Sequence, residues 1–172
     1  MARLFLALCA VAFLAACGGD GLAPPPTAGP TPTRAPVSEQ DTNYASAVCR
    51  AFGKYLASFS AAQQADPALF GDQAKLLRVA APILDTFRKD MDRAKPPKDM
   101  ENFHDALVER VKTMAQRAKD GSVVSTAELA DFTKNAPLPP ATVRDRLQEA
   151  AGSRPECAGT GGMDALFGDT GG

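Results

Sequence analysis

A single histidine, His104, is the first residue to weigh for chemistry, because imidazole titrates near neutral pH and is the commonest metal ligand. It shares a predicted helical face with Met100, Leu107 and Val111, and two readings of it stand side by side. One is a packed histidine whose nitrogens are satisfied by backbone or water. The other is a copper or haem ligand helped by the thioethers of Met91, Met100 or Met114. No second histidine and no Cys-x-x-Cys-His attachment motif is present, and methionines at helical spacing are ordinarily core, so the packed reading leads and no cofactor is expected.

Catalytic groups are equally sparse. A Ser-His-Asp or Cys-His site would have to draw on His104 from the middle of a helix. Asp90 with Asp92, and Asp105 with Glu109, are carboxylate pairs, yet Arg88, Lys89, Arg93, Arg110 and Lys112 are interleaved with them. Mixed charges at spacings of three and four are the pattern of a solvated helix face. The run Arg88, Lys89, Arg93, Lys95 and Lys98 is the one basic cluster; docking of an anionic glycan or headgroup is the sharper reading of it, a solvated helix end the plainer one. No phosphate-cradling glycine loop, zinc spacing or EF-hand loop occurs.

The N-terminus carries a different kind of signal. Met1-Ala2-Arg3 is followed by the apolar run from Leu4 to Leu14 and the small residues Ala15 and Ala16, the order of a secretory signal. The run is about half of the roughly 20 residues a spanning helix needs. Leu14-Ala15-Ala16-Cys17 resembles the lipobox of bacterial lipoproteins at all four positions. The resemblance covers the first 17 residues and implies cleavage before Cys17, a diacylglycerol thioether on its sulfur and an acylated amine. Each buried methylene of such chains adds about 0.8 kcal/mol, so two or three chains anchor stably where one is marginal. Gly18, not aspartate, follows the cysteine. In two-membrane bacteria of the enteric kind that residue argues against retention at the inner membrane. The implied place is a cell membrane or outer membrane, on its extracytoplasmic side.

Those implications divide the chain into a signal peptide (1–16), a lipidated cysteine with a Pro/Thr-rich tether (17–37), a helical domain (38–157) and a Gly-rich tail (158–172). The tether cannot bury enough apolar surface to fold. Its prolines favour an extended helix of about 3.1 Å per residue, so it can hold the domain up to roughly 60 Å from a bilayer. Cys9 leaves with the signal and Cys17 takes lipid, which leaves Cys49 and Cys157. In an oxidising compartment two remaining thiols read most simply as one disulfide closing a loop of roughly 100 residues. The tail is expected to be disordered, with Met163-Asp164-Ala165-Leu166-Phe167 as an apolar island and a candidate recognition motif.

The domain itself reads as all-α. A first helix is capped by Ser38, with Tyr44, Val48, Phe52, Tyr55, Leu56 and Phe59 as its stripe, and ends near Gln64. A second carries Leu76, Ala80, Ile83, Leu84, Phe87 and Met91, with Pro82 predicting a kink or a fresh start. A third takes Pro97 as its first residue, buries Met100, Phe103, His104, Leu107, Val111, Met114 and Ala118, and stops at Lys119-Asp120-Gly121. Ser125 to Glu128 opens a short helix with Leu129 and Phe132, and a last one presents Val143, Leu147 and Ala150 or Ala151. The sum is a small irregular up-and-down bundle.

Loss of Arg3 with the signal leaves 18 basic side chains, one fewer than in the whole chain, against 20 acidic ones. So even a balance excludes nucleic-acid binding and polybasic adhesion to lipid. The expectation is a membrane-anchored lipoprotein with a non-enzymatic helical domain that binds an envelope protein, polymer or small ligand, the copper or haem reading standing second.

Overall fold

The computed structural model describes residues 35–130, 133, 136–160 and 163–167. The predicted signal, Cys17, most of the tether and Phe132 lie outside them. The described chain is an all-α, up-and-down bundle with one disulfide. Helix α1 spans Glu39–Ala65, α2 Gln73–Arg93, α3 Glu101–Lys119, α4 Thr126–Ala130, α5 Ala141–Gly152 and α6 Asp164–Phe167. Short connections make α1, α2 and α3 antiparallel neighbours; α2 packs on both, and α5 lies along α1.

Local chemistry sets the helix ends. Ser38 caps α1 by accepting the Asp41 N–H through Oγ, while Asp41 accepts the Ser38 N–H in return, a complete capping box. Ser125 and Glu128 repeat the device at α4, and the bond from the Ser125 N–H is the chief reason the Glu128 carboxyl is held down to about 2. At the far end of α3, Gly121 has φ +72°, the Ser122 N–H reaches Arg117 O at 2.8 Å and the Gly121 N–H reaches Ala118 O. That is a Schellman stop, which only a left-handed residue such as glycine permits.

Burial follows the apolar stripes, with five corrections. Leu56, placed in the α1 stripe, is 43% exposed, because a stripe that drifts round a 27-residue helix outruns the face its neighbours cover. Helix α2 runs unbroken through Pro82 and has no fresh start there. Pro82 and Arg78 are both exposed, and buried Leu76, Leu77, Ala80, Ala81, Leu84, Phe87 and Met91 hold both sides. Pro97 does not open α3; it precedes a 3-10 turn, Lys98–Met100, whose Met100 N–H bonds Pro97 O, and the α-helix begins at Glu101. The fourth concerns the tail. Met163, Leu166 and Phe167 are buried in the same core as the main helices, since three large apolar side chains on one turn gain more from burial than from solvent. Val37, assigned to the tether, likewise rests against the core.

Candidate functional site

Cys49 and Cys157 form a disulfide with Cα atoms 5.0 Å apart and a sequence separation of 108. Both are buried. The bridge ties the middle of α1 to a 3-10 turn, Pro155–Cys157, that lies against it.

His104 is 5% exposed and lies inside the bundle. Its Nδ1 is 3.2 Å from the Tyr44 hydroxyl, with the two rings edge to face. Burial pushes the imidazole pKa down, against the opposing pull of Asp105 and Asp92, and burial pushes the Tyr44 phenol up. Both groups are therefore neutral at pH 7, and the Tyr44 hydroxyl and Nδ1 of His104 share one buried hydrogen bond. Met91, Met100 and Met114, the thioethers of the metal reading, are all buried in the core, Met100 one turn before His104. Among the described residues no group of three or more His, Cys, Asp or Glu side chains could hold a metal ion.

The buried imidazole makes stability depend on pH. An unfolded histidine titrates near 6.5 and the folded one lower, so the unfolded chain takes up a proton first as pH falls. Stability is full above about 6.5, declines through the window below it and levels off beneath the folded value. The denaturation midpoint of the native chain is expected to drop between pH 7 and pH 5, and His104→Gln to flatten that slope; an equal slope in the variant would refute the assignment.

The charged residues are paired across the surface. Lys89 meets Asp85 at 2.8 Å, Arg93 and Lys54 both reach Asp90, and Arg88 bonds Asp92. Glu109 is held by Lys112. The basic cluster is thus partly neutralised, with Lys95 and Lys98 in no ion pair among the described residues.

Two features had no signature in the sequence. One is Arg146, on α5, whose side chain is 11% exposed and whose Nε donates to Asp41 at 3.0 Å while one terminal nitrogen donates to both oxygens of Asp99. Burial pushes the Asp41 carboxyl up, but hydrogen bonds from Ser38 and the Arg146 charge outweigh it and leave the pKa lowered.

The other is a furrow along the α1–α2 seam. A cleft of about 450 Å³ is walled by Glu39, Asn43, Tyr44, Arg93 and Lys95. It shares Ala47, Arg93 and Ala94 with a second of about 220 Å³. That one shares Ala51, Lys54 and Asp90 with a third of about 170 Å³, which ends at Ser58 and Pro82. Together the three clefts follow α1 from Gln40 to Ser58, roughly 27 Å at 1.5 Å per residue, and the Lys54–Asp90 ion pair crosses the seam where the second meets the third. Alanines keep the furrow's floor low and charges of both signs stand on its rim. None of these walls contains His104 or a methionine.

No helix among the described residues is long and apolar enough to cross a membrane. Comparison with protein-family models, curated proteins and solved structures returns no match to this chain.

Proposed function

We propose that this chain is an extracytoplasmic lipoprotein, anchored by acyl chains on Cys17, whose disulfide-tied bundle is a non-enzymatic binding module for an envelope protein or polymer. The observation that carries the proposal is Leu14-Ala15-Ala16-Cys17 at the end of an apolar run behind a basic residue. The Cys49–Cys157 bridge supports it, because disulfides persist outside the reducing cytosol.

Binding is favoured over catalysis by what the candidate groups already do. His104 is enclosed and engaged by Tyr44, and Cys49 and Cys157 are oxidised. The α1–α2 furrow is the contact surface of this reading: its length suits a chain-like partner, and its mixed rim suits a polar one.

Membrane fractionation of the native chain and of Cys17→Ser, with intact mass of the extracted product, tests the anchor. The native form is expected in the membrane fraction, lacking residues 1–16 and heavier by its acyl groups, and the variant in the soluble fraction. Co-sedimentation of the two, or persistence of the first sixteen residues, would sink the reading. A photocrosslinker at Asn43 or Ser58, on the furrow rim, is expected to capture an envelope component that the same group at Thr142 on α5 does not.

A further inference from the structure

The apolar island near the C-terminus takes no part in the furrow. Met163 and Leu166 are each 1% exposed and Phe167 4%, and the Phe167 ring centroid stands 5.6 Å from that of Phe103, on the first turn of α3. These three residues stand at i, i+3 and i+4, so one face of a single turn carries all three. The turn's backbone bonds, from the Leu166 and Phe167 N–H groups to Met163 O, are internal to it.

A four-residue helix is far below the roughly 12–15 residues an isolated helix needs in water, so this one takes its shape from the surface beneath it. Gly161-Gly162 precede it in sequence and Gly168 follows, and glycine has the most backbone freedom to lose on ordering. The disulfide ties the chain down at Cys157, before the segment begins. Its undocking would leave that tie intact.

We propose that the surface beside Phe103 is a recognition pocket for a short helix of the pattern Met-x-x-Leu-Phe, filled reversibly by the chain's own residues 163–167. The occupant is argued from the seated segment itself: its three apolar side chains match the pocket well enough to be almost wholly buried there. An internal ligand of this kind competes at an effective concentration on the order of millimolar. The free chain is closed, and the pocket is offered only when the segment lifts.

The test uses the full-length chain. Leu166→Asp with Phe167→Asp releases the segment, and a fluorescent peptide of residues 161–169 is then titrated. The released variant is expected to bind the peptide saturably, at least about tenfold more tightly than the native chain does, and Phe103→Ala added to it to abolish binding. No binding by a released variant that keeps its helical circular dichroism, or equal binding by the native chain, overturns the proposal. Should that variant lose its helicity, a native chain with a protease site inserted between Gly161 and Gly162 is cut after folding. Departure of the cut segment from a bundle that stays helical supports the pocket; collapse of the bundle, or a segment that labelled peptide never displaces, overturns it.

Discussion

Replacement of both Cys49 and Cys157 by alanine is expected to lower the melting temperature by about 10–20 °C. The bridge spans 108 residues, and the loop-closure entropy it removes from the unfolded chain is worth up to about 4–5 kcal/mol. For a domain of this size each kcal/mol moves the midpoint by roughly 3–4 °C. Alanine is chosen because serine would add buried hydroxyls at positions 2% and 6% exposed and so confuse a lost cross-link with a desolvation cost. The effect should act mainly through the unfolded state, so helical circular dichroism at 20 °C is expected to change little. An unchanged melt would mean that the bridge is dispensable to a core that holds α1 and the turn at Pro155–Cys157 together by packing alone.

Arg146→Met is expected to cost about 3 kcal/mol, or roughly 10 °C. The substitution keeps most of the apolar stem and removes the charge, which leaves Asp41 as a carboxylate 2% exposed with only its Ser38 bonds. Removing one partner of a buried pair costs more than the pair gains over an apolar replacement, because the surviving charge has lost its compensation. The loss is also architectural, since Arg146 joins the cap of α1, the 3-10 turn before α3 and the middle of α5. Arg146→Lys should recover only part of it: an ammonium is a point charge and cannot hold Asp41 and Asp99 with a planar fork. Equilibrium denaturation of native, Arg146→Met, Asp99→Asn and the double variant gives the coupling. A coupling near zero would show that Asp99, whose side chain is 43% exposed, adds nothing to the lock.

Legibility differed by element. The α3 stripe from Met100 to Ala118 and its glycine stop were readable because helix period, capping and left-handed glycine are properties of a few adjacent residues. The Ser125–Glu128 capping box and the Ser38 cap were readable for the same reason, while the return bond from the Ser38 N–H to Asp41 was not read. Of the two outcomes read at Pro82, a kink or a fresh start, the fresh start did not occur, because a proline rule written for an isolated helix omits the partner surfaces: buried neighbours before and after it hold α2 in one piece. The tail misled in the same direction, since its glycine content spoke for disorder while Met163, Leu166 and Phe167 had a surface waiting. The furrow was invisible, as its walls alternate between two helices and each contributes small or charged residues that look like ordinary solvated positions.

What the sequence determined by itself was what near neighbours set, the all-α class, the helix stops and the N-terminal pattern on which the proposed anchor rests, and, by simple count, the pairing of the last two thiols. Tertiary structure alone decided that Arg146 meets Asp41 across 105 residues, that Tyr44 meets His104 across 60, and that the last apolar turn folds onto Phe103. The physical reason is that period and capping are local energies, whereas the burial of a charge, a ring or a short helix depends on which distant surface arrives to cover it.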